Sequence, residues 1–96
     1  MKEKTVENSI RKWVKENGGV SYKYFGGSYS VAGFPDLIVI LPWLTCFCEV
    51  KAPKKKPRAN QLLIINEINS HGGNAFWTDN LNDFIEYAKN TNNIRS

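Results

Sequence analysis

The sequence predicts one small α/β domain, a central sheet flanked by helices, with its elements in the order α-β-β-β-α-β-α. Apolar residues recur at helical spacing in three stretches, and segments rich in β-formers lie between them. Two of those segments are joined by a turn of hairpin length. No repeat or domain boundary is visible, so the 96 residues are expected to form a single domain. Its core should span about 4–89, with a frayed tail over 90–96.

Charge and composition narrow the possible partners. Thirteen Lys and Arg residues against nine Asp and Glu give a net charge of +4, which favours a polyanionic partner. No stretch approaches the ~18 apolar residues of a membrane span, and the N-terminus lacks the apolar run of a signal peptide. A cytoplasmic protein without membrane contact is therefore expected. At this length the core is small enough that stability can depend on self-association.

The first helix is predicted over 4–16, where it ends at Asn17-Gly18-Gly19. Glu7 lies beside its apolar stripe, and two interpretations are open. The carboxylate either reaches the edge of a site on the sheet, or it is a solvated side chain paired with Arg11 at i, i+4. The stripe itself consists of Val6, Ile10, Trp13 and Val14.

A first strand is predicted over 20–25, followed by a loop that contains Ser28. Hydroxyl and backbone N–H groups of this loop could contact a phosphate, although a plain connection is the alternative. A hairpin follows, with strands over 36–41 and 44–51 and a turn at Pro42-Trp43. In this register the numbers of opposed residues sum to 85, so Asp36 falls opposite Glu49 with Cβ atoms about 5 Å apart. Lys51, two residues beyond Glu49, projects on the same face.

Two carboxylates set opposite each other destabilise a sheet unless a cation lies between them. Oxygen ligands without His or Cys favour a hard ion, Mg²⁺ or Mn²⁺, and the backbone carbonyl of Val50 could join them. Lys51 could then hold an attacking water or neutralise charge on a phosphate. This combination indicates metal-assisted phosphodiester hydrolysis. The alternative is a strand end whose charges simply face solvent.

The cysteines and the histidine are interpreted as structural. Cys46 and Cys48 alternate onto the face opposite Glu49, which predicts buried free thiols and no zinc site. His71 precedes Gly72-Gly73, a pattern typical of a helix end with a left-handed glycine cap.

A basic loop follows Lys51, bounded by prolines, and it should attract a sugar-phosphate backbone unless it is only a solvated charge run. Its cations are Lys54, Lys55, Lys56 and Arg58. The second helix, over 59–70, should bury Leu62, Ile65 and Ile68 and point Gln61 back towards Lys51. A fourth strand over 74–78 and a third helix capped by Asp79 or Asn80 complete the domain.

These motifs resemble the PD-(D/E)XK nuclease superfamily and, more narrowly, the VRR-NUC (virus-type replication-repair nuclease) family. The resemblance spans Glu7 to about Ala88. It depends on Glu7, Gly33-x-Pro35-Asp36, Glu49-Val50-Lys51-Ala52-Pro53, Gln61 and Gly72-Gly73. It implies a restriction-endonuclease-like core with a mixed sheet. The segment before Gly33 lacks the basic residues that many relatives carry there.

The resemblance further implies a Mg²⁺-dependent DNA endonuclease. Asp36, Glu49 and the Val50 carbonyl would be metal ligands, Lys51 the catalytic lysine, and Glu7 and Gln61 accessory active-site residues. Stand-alone members in phages and bacteria are associated with dimers that act on branched DNA, including four-way junctions, in replication, recombination or repair. No small-molecule cofactor is expected.

Two other functions are considered: a nucleic-acid-binding module without catalysis, and a nuclease subunit of a restriction or transposition complex. A homodimer is expected for the nuclease, because two sites could then act on two strands. The apolar hairpin tip over 41–44 is a candidate dimer contact. Core packing under a neighbouring helix is the alternative for that tip.

Overall fold

The computed structural model describes residues 1–26 and 31–95, with side chains described as far as Asn90. The element order confirms the predicted α-β-β-β-α-β-α arrangement. The last helix continues to Arg95, beyond the point where the sequence predicts a frayed tail. The elements are α1 (Glu3–Glu16), β1 (Val20–Lys23), β2 (Leu37–Leu41), β3 (Leu44–Val50), α2 (Ala59–Ser70), β4 (Ala75–Thr78) and α3 (Leu81–Arg95).

The four strands form one mixed sheet in the order β1-β2-β3-β4. β1, β2 and β3 are antiparallel neighbours, whereas β4 runs parallel to β3. The hairpin register is the predicted one, since Leu37 pairs with Cys48 and Val39 with Cys46. Asp36, directly before β2, therefore comes level with Glu49 at the end of β3.

One face of the sheet carries the main core, where α1 and α3 pack against β2 and β3. Phe84 of α3 is fully buried there and meets Trp13 edge-on at 5.8 Å between ring centroids. The predicted burial of Cys46 and Cys48 is confirmed. Burial raises the pKa of Cys46 to about 12, so this thiol stays protonated and unreactive at neutral pH.

The other face of the sheet is covered only in part. α2 is fastened over β4 by Asn69, whose side chain donates to the Ala75 carbonyl at 2.8 Å and accepts from the Ala75 N–H at 2.7 Å. Because α2 sits at this edge, it buries only Ile65. The predicted burial of Leu62 is wrong, since that residue is 39% exposed, and Ile68 is only half-buried. The rest of the face leaves apolar side chains in solvent, namely Val20, Tyr22 and Ile40.

The hairpin tip packs within its own chain. The Trp43 indole donates to the Ala88 carbonyl of α3 at 3.1 Å, and Leu41 and Leu44 are buried. The tip is therefore core packing, the second of the two interpretations, and it is not a free dimer contact. No helix among residues 1–26 and 31–95 is long and apolar enough to cross a membrane.

Candidate active site

Asp36, Glu49 and Lys51 meet where β2 begins and β3 ends, on the face of the sheet that carries α2. The Asp36 carboxylate accepts a hydrogen bond from the Val50 N–H at 3.0 Å. The Lys51 ammonium lies 3.3 Å from Oε2 of Glu49. The three side chains that the strand alternation predicts at one point are therefore neighbours in the structure.

The turn before Asp36 requires glycine. Gly33 has φ +86°, and a Cβ there would lie 2.8 Å from the backbone oxygen of Asn60 in the first turn of α2. Such a contact is too short for any side chain, so glycine is what lets the turn and the helix touch. Phe34 then fixes the turn on the sheet, with its ring 4.7 Å from that of Tyr24 and 5.6 Å from that of Phe47.

Gln61 connects α2 to the site, as its predicted orientation requires. Its Nε2 donates to Oε2 of Glu49 at 3.1 Å, and its Oε1 accepts from the backbone N–H of Arg58 at 2.8 Å. One amide thus satisfies a free N–H at the start of the helix and orients the carboxylate below it.

The Glu49 carboxylate is destabilised in its charged form by burial and by the nearby Asp36. Its side chain is 2% exposed, and burial together with the negative charge of Asp36 raises its pKa to about 7, against the opposing effect of Lys51. In the part of the chain that the structure describes, Oε1 of Glu49 is buried without a hydrogen-bond donor. Burying a carboxylate oxygen without a partner is costly unless a cation or donor approaches it.

A hard divalent cation fits these groups. The donors are oxygens, one of them is buried and unpaired, and two carboxylates share the charge. Among the described residues no cluster of three or more His, Cys, Asp and Glu side chains is placed to hold a metal. Any remaining ligands would therefore be a backbone carbonyl such as that of Val50, or water. Mg²⁺ typically binds through one or two carboxylates and retains several waters.

Glu7 lies on the other face of the sheet, towards α1, and is 2% exposed. It contacts Lys23 of β1, with Nζ 2.6 Å from its Oε1. Arg11 and Lys4 approach its Oε2 at 3.7 and 3.8 Å. Burial alone would raise the pKa of Glu7, but the hydrogen bond and charge of Lys23, followed by Lys4 and Arg11, lower it overall. The predicted pairing with Arg11 is present, yet this carboxylate is buried.

Lys23 is the residue that sequence reasoning missed. Burial lowers its pKa, but the hydrogen bond to Glu7 and the negative charge of Asp36 raise it overall. Lys23 therefore lies within the electrostatic reach of both carboxylates and links Glu7 to the site around the end of β1. Alternation along β1 gave no signal for it, because the apolar Val20 and Tyr22 are the exposed residues of this strand while Lys23 is half-buried.

Lys23→Met is expected to lower the free energy of unfolding by about 1–3 kcal/mol at pH 7, because Glu7 would remain buried and charged without its nearest partner. Partial exposure of Lys23 limits the loss. Because the pKa of Glu7 is lowered in the fold, the ion-pair contribution is present above 4.5, the ordinary value, and is lost as the pH falls through the folded value. Urea unfolding at pH 7 and pH 3 measures both effects.

Lys89→Met serves as the control for this prediction, since Lys89 is an exposed lysine on α3. It should change stability by less than about 0.5 kcal/mol. A loss in Lys23→Met that is equally large at pH 3 would show that packing, and not the ion pair, accounts for it.

The basic loop lies next to the site and exposes its cations, Lys54, Lys55, Lys56 and Arg58. Its shape is fixed by the Lys54 N–H, which donates to Asp79 at 2.8 Å, and by the Lys55 N–H, which donates to Ala52 at 3.0 Å. The predicted phosphate contact of Ser28 concerns a residue outside the described part of the chain.

Comparison with solved structures indicates a nuclease-type domain. The chain is similar to a structure described as "VRR_NUC domain", with a TM-score of 0.77 and 27% sequence identity over 91% of this chain and 94% of the other. No family model matches the sequence, and no curated protein matches it significantly. The chain has a VRR-NUC fold, as its motifs predicted.

Proposed function

We propose that this protein is a Mg²⁺- or Mn²⁺-dependent endonuclease that hydrolyses phosphodiester bonds in branched DNA, such as four-way (Holliday) junctions. The observation that supports it most is the convergence of Asp36, Glu49 and Lys51 at one strand end, where a buried Glu49 oxygen has no hydrogen-bond partner among the described residues. The VRR-NUC fold supports the nuclease class.

Each side chain of the site has a task in this proposal. Asp36, Glu49 and the Val50 carbonyl would hold the ion, which when bound supplies Lewis-acid activation of a phosphate and of a water. Lys51 can donate to that water or to a phosphate oxygen, since its ammonium is held beside Glu49. Water oxygen attacks phosphorus, the ester bond to one sugar oxygen breaks, and the departing oxygen takes a proton. Gln61 keeps Glu49 in position.

DNA binding through the basic loop follows from its exposure and charge. Phosphate contacts made by Lys54, Lys55, Lys56 and Arg58 release counterions, so binding should weaken as salt rises. These contacts carry no base information, which agrees with selection of DNA shape over sequence.

A homodimer is part of the proposal, and the uncovered sheet face is its contact. Val20, Tyr22 and Ile40 are 43%, 56% and 40% exposed, side by side on β1 and β2. The patch itself has no charged member, so burying it against a second copy related by a two-fold axis removes no charge of the patch from water. Tyr22→Glu should convert the dimer to a monomer in sedimentation experiments. Sedimentation of the wild type as a monomer at micromolar concentration would contradict the dimer.

The substrate panel tests the nuclease itself. Labelled single-stranded, duplex, flap and four-way-junction DNA are incubated with the protein in EDTA, Mg²⁺ or Mn²⁺. We expect cleavage that requires the metal and is fastest on the junction. Asp36→Asn should bind the junction but fail to cut it.

The panel also separates the alternatives. Junction binding without cleavage in either metal would favour a non-catalytic DNA-binding module. Metal binding without cleavage of any DNA would favour a subunit that needs partner proteins. Equal cleavage by Asp36→Asn would refute the ligand assignment.

A further inference from the structure

A second basic surface lies along the outer edge of β1, where α1 crosses the strand. It is a groove of about 530 Å³, and we call it the α1–β1 groove. β1 is an edge strand, so one side of its backbone faces this groove and not another strand. The groove is lined by Arg11, Lys12, Lys15, Gly19, Val20 and Ser21.

Arg11 is held in place within the groove. Its Nε donates to the Ser21 hydroxyl at 3.0 Å and its Nη2 to the Ser21 carbonyl at 3.2 Å, while Nη1 lies 3.7 Å from Glu7. Two of the five guanidinium N–H groups make these bonds and Nη1 is directed towards Glu7, which leaves the second N–H of Nη2 for an anion. Because the guanidinium is already ordered, little side-chain entropy is lost when it binds a phosphate.

The strand edge contributes a further donor. The Tyr24 N–H donates to the Asp36 carbonyl across the β1–β2 ladder, so alternation turns the N–H and carbonyl of Ser21 to the open side. The bond from Arg11 to the Ser21 carbonyl agrees with this orientation. The backbone N–H of Ser21 therefore points to the same side as Arg11.

Lys12 and Lys15 provide the net charge of the groove. Both are exposed, and neither forms an ion pair in the part of the chain that the structure describes. Arg11, by contrast, shares the charge of Glu7. Two ammonium groups and a backbone N–H without a partner among the described residues lie beside an ordered guanidinium, and together they form a phosphate-binding surface.

The groove lies near the site but on the other face of the sheet. Ser21 is three residues before Tyr24, which lies level with Asp36, so about 10 Å of strand separates groove and site. Glu49 faces α2, whereas Ser21 faces α1. A straight duplex on the α2 face would not turn around the sheet edge, but a second arm that leaves the same branch point could.

We propose that the α1–β1 groove binds backbone phosphates of a second arm of branched DNA. The proposal rests on the proposed nuclease function and deepens it, because it gives the preference for branches a physical basis. A linear duplex would use the basic loop alone, whereas a junction would use the basic loop and the groove together. Linking two modest contacts in this way raises affinity for the substrate that can reach both.

The test is DNA binding by Lys12→Gln/Lys15→Gln in EDTA, compared with Lys2→Gln/Lys89→Gln, which removes the same charge elsewhere. Arg11 is left unchanged because it contacts Glu7. Junction affinity should fall about 10-fold or more, and the slope of log K against log salt should decrease by about 2 for the two lost phosphate contacts. Affinity for a linear duplex of one arm's length should change no more than in the control. Thermal melts confirm that both variants fold.

The outcomes separate this proposal from the nuclease assignment. A junction-specific loss in a protein that cuts no DNA would support the groove and contradict the nuclease. Cleavage by the wild type combined with equal junction affinity in the groove variant and its control would overturn the groove alone. A poly-glutamate peptide that displaces the junction from the wild type, but not from the groove variant, would overturn it in favour of an acidic protein partner.

Discussion

Glu49→Gln is expected to reduce DNA cleavage on the order of 10³-fold and to stabilise the metal-free protein. Glutamine keeps the shape of the side chain but removes the charge that a cation needs. It also removes the conflict with Asp36 that, together with burial, raises the pKa of Glu49 to about 7. The residue proposed as a ligand is thus expected to weaken the apo fold, as active-site residues often do.

The stabilisation of the metal-free protein by Glu49→Gln should increase as the pH rises. Between 4.5 and about 7 the folded wild type holds a proton on Glu49 that the unfolded chain releases. The stability of the wild type therefore falls as the pH rises through this window, and the penalty is fully present above it. Glu49→Gln should gain about 1–3 kcal/mol at pH 8 and much less at pH 5. Urea unfolding in EDTA at the two values measures this difference.

The same pKa predicts proton release on metal binding. A cation requires the ionised carboxylate, so affinity for Mn²⁺ should increase as the pH rises through about 7. Glu86→Gln, at an exposed position of α3, is the control for both measurements and should alter neither. Equal destabilisation of Glu49→Gln at pH 5 and pH 8 would contradict the assignment of Glu49 as a repelled charge.

Lys51→Ala is expected to lower cleavage by about 10²–10³-fold at saturating DNA, because the ammonium beside Glu49 would no longer meet the charge that develops on the phosphate. Glu49 would lose a positive charge that opposes its raised pKa. The pH at which the variant binds Mn²⁺ should therefore rise as well. Single-turnover kinetics and a pH series of metal binding measure the two effects.

Lys55→Ala is the matched control for Lys51→Ala. Lys55 is exposed in the basic loop, so its loss should raise KM by a few-fold and leave kcat unchanged. If Lys51→Ala also changed only KM, Lys51 would be a phosphate contact without a role in the chemical step.

Much of the fold was predictable because the local sequence patterns of most segments agree with the helices and strands that they form. The position of the hairpin turn was enough to predict which residues of β2 and β3 pair, and α2 has the predicted bounds. Burial of α2 was not predictable from periodicity. Leu62 has the spacing of a core residue, but only the position of α2 at the sheet edge decides that it stays exposed. Trp43 was ambiguous for a similar reason, since its neighbour is a distant helix.

The carboxylate pair was predictable because alternation and register place side chains that are close along paired strands. Lys23 was not, because its link to Glu7 crosses from β1 to α1, sixteen residues apart. Glu7 was placed correctly beside the apolar stripe, but its burial depends on three cations that meet only in the fold. Contacts between elements of this kind leave no periodic signal.

In the proposed nuclease, the amide of Gln61 would make the position of Glu49 depend on one turn of helix. Its two hydrogen bonds connect Glu49 to the backbone at the start of α2. The first turn of α2 also packs directly against Gly33. Helix ends open more readily than cores, at a free energy well below that of global unfolding. Heating should therefore abolish the proposed cleavage activity reversibly at temperatures where the sheet, α1 and α3 are still intact.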